Sequence, residues 1–261
     1  MTLQNTPQRA EELQESSTEG GAVDSGKSQS ANESGESRKY EISDKAIQAL
    51  NEKYHDLTVD ERVAELYRDF ETTQVMLTSS FAATSAFFLH VFSRVAPQQK
   101  VFFIDTGFHF PETLAYKKKL IDLYQLNVVD IRPEDWKHEF TVKDKTWIKD
   151  PDFCCSINKV EPLDAIKSQF DVWASGLMRW QTEHRSTLDV FERRNGIIKF
   201  YPLIDVSQEE RDAYIRDHQL PFHPLVAKGY CSIGCVQCTV PGDERGGRWN
   251  NSPKTECGLH L

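Results

Sequence analysis

The chain has 261 residues and a net charge of −9, with 31 Lys and Arg against 40 Asp and Glu. That length suits one large domain or two small ones, and the acidic balance disfavours non-specific nucleic-acid binding. No apolar run approaches the roughly 20 residues of a membrane span, and no basic start followed by an apolar core marks a secretory signal, so a cytoplasmic protein with no membrane or nucleic-acid partner is expected.

Residues 1–39 contain no aromatic residue and are rich in Ser, Glu, Gln and Gly. Such a segment buries too little apolar surface to offset its ordering entropy, so a disordered N-terminal tail is expected there. A globular domain over 40–240 and a C-terminal tail over 241–261 complete the expected organisation. Ala46, Ile47 and Leu50 suit one helix face, and Thr58-x-x-Glu61 reads as a capping box opening a second helix through Leu66 and Phe70. Val75-Met76-Leu77 is a short buried strand, and Ser79-Ser80 leads into a helix carrying Phe87, Phe88, Val91 and Phe92. Val101 to Ile104 is the next strand. Pro111 occupies a first helical position ahead of a helix to Tyr124. Val128 to Ile131 and Val172 to Ala174 read as further strands, and Ser207-x-x-Glu210 caps a helix that ends before Pro221. Short apolar strands alternating with amphipathic helices predict a doubly wound, mostly parallel α/β sheet.

Ligands of such sheets sit beyond the carboxyl ends of the strands. Two loops occupy that position. Thr78-Ser79-Ser80-Phe81 offers hydroxyls at a helix start, which suits a phosphate or sulfate, or a simple N-cap. Asp105-Thr106-Gly107 offers a carboxylate and a flexible glycine, or an ordinary turn.

The six cysteines are of two kinds. Cys154-Cys155 and Cys235-x-x-Cys238 form two pairs able to supply four thiolates to one metal centre, and by themselves suit zinc as well as iron–sulfur. Cys257 stands alone on a short terminal segment, poorly placed as a ligand but well placed as a mobile nucleophile. Cys231 extends the second pair to Cys231-x-x-x-Cys235-x-x-Cys238, the spacing of radical S-adenosylmethionine enzymes. Those follow the motif with most of a barrel, and only 23 residues follow Cys238 here.

Taken together, these segments resemble the sulfonucleotide (phosphosulfate) reductases of assimilatory sulfate reduction. The resemblance is carried by Thr78-Ser79-Ser80-Phe81, by Phe103 to Thr113, by Gly229-Tyr230 leading into Cys235, by Arg245-Gly-Gly-Arg248-Trp249 and by Glu256-Cys257-Gly-Leu-His260. It runs from about Val75 to the end of the chain. It implies an adenine nucleotide alpha hydrolase-like (Rossmann-like) fold with a mobile C-terminal tail. The paired cysteines mark the branch that carries a [4Fe–4S] cluster, on Cys154, Cys155, Cys235 and Cys238, and that typically reduces adenosine 5′-phosphosulfate. Use of the 3′-phosphorylated form, or of both, is the alternative, and a non-catalytic iron–sulfur sensor is another.

The implied chemistry has Cys257 attack the sulfur of the phosphosulfate and expel AMP. Thioredoxin, or a glutaredoxin-like donor, then releases sulfite. Substrate contacts are expected from Ser79, Ser80, Phe81, Asp105, Thr106, Gly107, Lys159, Arg179, Arg245, Arg248 and His260, in a possible homo-oligomer. Departures from the family pattern occur at Ala82, usually Gly, and at Asn158 and Met178, usually basic. Arg185 or Lys199 are candidates to make good the two lost charges.

Overall fold

The computed structural model describes residues 43–260, with 244, 250, 251 and 253 outside the description; the N-terminal tail expected over 1–39 lies outside it too. Helices α1 (Asp44–Tyr54) and α2 (Val59–Asp69) lead to β1 (Val75–Thr78), α3 (Ser85–Val95), β2 (Lys100–Ile104), α4 (Pro111–Tyr124) and β3 (Asn127–Ile131). Then come α5 (Asp135–Asp144), two short helices α6 (Thr146–Lys149) and α7 (Pro151–Cys155), a π-helical turn at Ser156–Val160, and α8 (Glu161–Lys167). The remaining strands and α-helices are β4 (Val172–Ala174), α9 (Glu183–Ser186), β5 (Phe191–Arg194), β6 (Ile197–Phe200) and α10 (Gln208–Asp217), with 3-10 turns at Arg179–Gln181, Val226–Lys228 and Val236–Cys238.

The capping boxes read at Thr58/Glu61 and Ser207/Glu210 are both formed, each satisfying two otherwise orphaned N–H groups. Pro111 occupies the first turn of α4 as its fixed φ and missing donor favour. The six strands form one sheet in the order β3-β2-β1-β4-β6-β5, parallel throughout except for β5. Strand order reverses between β1 and β4, which opens a crevice at their carboxyl ends. The β5–β6 hairpin is an addition to the elements read from the sequence. Its turn residues, Asn195 and Gly196, both have positive φ, the conformation a two-residue hairpin turn demands.

Alternation along the strands divides the core. Val75, Leu77, Val101, Phe103, Val172, Ala174, Ile198 and Phe200 pack beneath α1–α4 and α10. Met76, Phe102, Trp173 and Ile197 point to the other face, against Leu163 of α8 and Leu259 near the C-terminus.

One buried charge ties α2 to the chain after β6. Arg62, 3% exposed, donates to both Asp205 carboxylate oxygens and to the carbonyls of Tyr54, His55 and Pro202. Arg62→Met orphans those carbonyls and strips Asp205 of its partner. The expected loss is about 3–5 kcal/mol of stability, read as a lower urea midpoint.

Candidate active site

The crevice between β1 and β4 opens into a cavity of about 610 Å³. Its first wall is the loop after β1. Ser79 donates its N–H to the Phe102 carbonyl and accepts from the Phe81 N–H. Phe81 takes a left-handed φ of 48°, and its ring turns into the core against Phe103 at 5.5 Å. Ser79, Ser80, Ala82, Ala83 and Thr84 therefore face the cavity while Phe81 only anchors the loop from below. Ala82 does not adopt the positive φ that would require Gly, so this departure costs the loop nothing in backbone strain.

Of the three contacts expected in the loop after β2, only Thr106 lines the cavity. Asp105 accepts from Arg132 Nε and Nη2 and from the Gly107 N–H, and neither Asp105 nor Gly107 lines the cavity. A Cβ at Gly107 would meet the His138 ring at 2.7 Å, so the glycine is needed for packing. Thr106 does line the cavity, and its Oγ1 lies 3.4 Å from Cys235 Sγ. The Val236 N–H donates to the Phe108 carbonyl at 2.8 Å, which docks the Cys-x-x-Cys turn on this loop. His109 joins the lining, donating from Nε2 to the Ile104 carbonyl at 3.0 Å. It sits within the segment Phe103 to Thr113 and was not singled out from sequence.

Docking that turn brings the two cysteine pairs together. Cys154 and Cys235 are buried and pack with Phe108, flanked by Trp147 and Cys238. Cys155, also buried, interacts with Lys159, Cys257 and Cys235, whereas Cys231 is exposed. Burial, then repulsion from neighbouring thiols, pushes the Cys238 thiol up to about 11; burial likewise raises Cys154 and Cys155. As free thiols they would be poor nucleophiles, and only a bound cation would make thiolates of them together. Asn158, where a basic residue is usual, donates from Nδ2 to the Cys154 carbonyl at 2.9 Å and approaches its Sγ at 3.7 Å. Among the described residues no three His, Cys, Asp or Glu side chains are drawn tightly enough to hold a single metal ion. Four cysteine sulfurs are the donor set of a [4Fe–4S] cluster, each on a different iron, and suit zinc as well.

Lys159, on the π-helical turn, faces both the cavity and the cysteines. Burial alone would lower its pKa, but the neighbouring Cys235, Cys155 and Cys257 outweigh burial and hold Lys159 above the ordinary lysine range. Arg245 and Arg248 complete the basic lining, stacked over Trp249 at 5.7 and 4.3 Å. Burial brings Arg245 down to about 10, which still leaves it a cation at pH 7. A Cβ on Gly234 would stand 2.3 Å from the Arg248 guanidinium, so that glycine makes room for the arginine beside the cysteine turn. Both arginines keep a buried Nε without a hydrogen-bond partner, as does Nδ1 of His260 and Oγ of Ser175. Unsatisfied polar atoms around a basic cavity call for a polar, anionic ligand.

Arg179 lies elsewhere, its Nε on the Leu188 carbonyl and its Nη2 on Asp189, while Met178 is fully buried. Arg185 lines the cavity but is paired with Glu256, and Lys199 lies outside the lining; both hold the C-terminal segment. Glu256, 2% exposed, accepts from Arg185 Nε and Nη2 at 2.8 Å and from Thr182 Oγ1 at 3.2 Å. Burial raises the Glu256 carboxyl, but Arg185 and Arg245 outweigh it and hold the group ionised. This ion pair is what draws Cys257 into the cavity, beside His260. His260 packs against Trp173 at 5.2 Å; burial and nearby cations keep its ring neutral. Glu256→Gln would leave Arg185 buried without its counter-charge. Release of the C-terminal residues by a carboxypeptidase should then accelerate by about tenfold or more.

Residues 74–241 match the model of the phosphoadenosine phosphosulfate reductase domain family. A Gloeobacter violaceus protein named phosphoadenosine 5′-phosphosulfate reductase is 35% identical over 230 residues, 84% of this chain and 95% of its own. A Halalkalibacterium halodurans adenosine 5′-phosphosulfate reductase is 39% identical over 198 residues, 72% of this chain and 85% of its own. The crystal structure of phosphoadenylyl-sulfate reductase from Candida auris superimposes with a TM-score of 0.67 at 28% identity, covering 76% of this chain and 98% of that one. Candida glabrata FMN adenylyltransferase shares the fold alone, with a TM-score of 0.52 at 12% identity and coverage of 77% and 69%. With the family model matching most of the chain and relatives this similar covered over most of their length, this chain belongs to the phosphoadenosine phosphosulfate reductase domain family.

Proposed function

We propose that the protein reduces adenosine 5′-phosphosulfate to sulfite and AMP through Cys257. The observation that carries this is the burial of Glu256 against Arg185, which brings a terminal cysteine into a basic cavity at the carboxyl ends of β1 and β4. The serine loop would receive the 5′-phosphate on its N–H groups and hydroxyls. Lys159, Arg245 and Arg248 would hold the sulfonate and lower the cost of a Cys257 thiolate. In the first step the thiolate bonds to sulfur, the S–O bond to phosphate breaks, and AMP leaves with that electron pair. In the second, one thiol of a reduced dithiol protein such as thioredoxin attacks Cys257 Sγ and expels sulfite. Its second thiol resolves the mixed disulfide and regenerates Cys257. The two electrons come from the dithiol.

Cys154, Cys155, Cys235 and Cys238 would hold a [4Fe–4S] cluster. When bound it would supply a fixed charge next to Lys159 that helps polarise and orient the substrate.

For the nucleotide, the absence of a cation at Met178 and Asn158 and the turning away of Arg179 favour the substrate with one phosphate fewer. A second reading, use of the 3′-phosphorylated form, is favoured by Arg211 and Arg216 of α10 in the cavity lining and by the name of the Gloeobacter relative. Arg211 is occupied by Asp212 at 2.7 Å and by the Trp180 ring at 4.9 Å. Steady-state assays of both substrates with reduced thioredoxin decide between them. A kcat/KM at least about tenfold higher for adenosine 5′-phosphosulfate is expected, and the reverse order rejects this preference.

A further inference from the structure

Among the described residues, Lys199 is the only charged side chain buried within a strand. It follows Ile197 on β6 and so shares the second face of the sheet with Trp173, under the C-terminal segment. Among the described residues no carboxylate pairs with its ammonium. Nζ stands 3.2 Å from the centroid of the Trp173 ring and donates to the Leu259 carbonyl at 3.1 Å. Arg194 Nη1 donates to the next carbonyl, that of His260, at 3.3 Å, and His184 Nε2 reaches the same oxygen at 3.1 Å.

Cys257 and Gly258 are thus a short span held at both ends. Before it, Glu256 is fixed by Arg185; after it, two successive carbonyls are gripped by donors from α9, β5 and β6. Gly258 bridges the grips with φ of 84°, a turn that a side chain would strain. We infer that Lys199 is a positioning residue for Cys257: its ammonium holds the Leu259 carbonyl and so seats the cysteine in the cavity.

Packing alone does not call for this lysine. An apolar residue of similar length would fill the space over Trp173 without desolvating a charge, and such a charge is costly where it is not compensated. That cost is visible in the Lys199 pKa, brought down to about 7 by burial first and then by Lys167 and Arg194, against the opposing pull of Cys257 and Asp164. What a lysine adds is a donor for the carbonyl and a charge attracted to the cysteine. The role rests on Cys257 being the nucleophile, as proposed above.

The test uses anaerobically purified full-length protein and N-ethylmaleimide, with labelling of Cys257 localised by mass spectrometry. In Lys199→Met, labelling without substrate should run about tenfold faster than in the parent. AMP affinity should stay within about twofold, and kcat should fall about tenfold with little change in KM, since the nucleotide contacts are other residues. Arg194→Gln should move labelling in the same direction by less, and it carries the test where Lys199→Met fails to fold. Unchanged labelling in both variants, or faster labelling only with loss of AMP binding, overturns the inference. Labelling is independent of turnover, so a parent protein that releases no sulfite rejects the proposed function without touching this result.

Discussion

Cys257→Ser is expected to reduce sulfite release to background, a loss on the order of 10³-fold or more, while AMP binding is retained. A serine hydroxyl cannot form the S–S bond that the first step requires, and its far higher pKa leaves it protonated at pH 7. Nucleotide binding should survive, because the serine loop, Lys159, Arg245 and Arg248 are contributed by separate elements. The parent protein, mixed with adenosine 5′-phosphosulfate and no reductant, should release one equivalent of AMP and gain one sulfonate on Cys257. Reduced thioredoxin should discharge that adduct as sulfite. Near-normal turnover in the serine variant sinks the mechanism. A sulfonate found on Cys231 keeps the chemistry but moves the nucleophile to an exposed thiol of the cavity lining.

Much of this arrangement was legible in the residues because local signals and long-range packing agree there. Four of the six strands are short apolar runs, and the helices with capping boxes or a first-turn proline begin where those residues put them. The β5–β6 hairpin is hidden in the sequence because Phe-Glu-Arg-Arg is polar and Lys199 interrupts the apolar pattern of the second strand. Asn195-Gly196 was the signal that would have found it. Cysteine spacing marked the two pairs, but only the contact of the Cys-x-x-Cys turn with the loop after β2 brings them together. The resemblance puts Asp105 and Arg179 among the substrate contacts, whereas neither lines the cavity of this structure. Each of these has a protein partner, and ion pairs between distant residues leave no periodicity to read. The same holds for Arg185 and Glu256, 71 positions apart, whose pairing puts the terminal cysteine in place.

Iron should be found at about four atoms per chain in protein prepared without oxygen, with a brown colour, and alanine at Cys154, Cys155, Cys235 or Cys238 should remove it. The effect should be largest for Cys154 and Cys235, which are buried together against Phe108. Cys231→Ser should leave iron content unaltered, because that thiol is exposed while three of the four are buried. Burial raises the Cys154, Cys155 and Cys238 thiols, and the neighbours of the group, Asn158, Thr106 and Lys159, are polar or cationic groups suited to thiolates. Stripping the iron with a chelator under reducing conditions should therefore weaken the fold around α7 and the Cys-x-x-Cys turn, since four deprotonated sulfurs lose the cation that holds them together. Hydrogen exchange in residues 151–160 and 231–240 should rise, while the β1–β2 core stays protected. Colourless protein carrying one zinc per chain, or loss of iron in Cys231→Ser, would show that the ligand set is wrong.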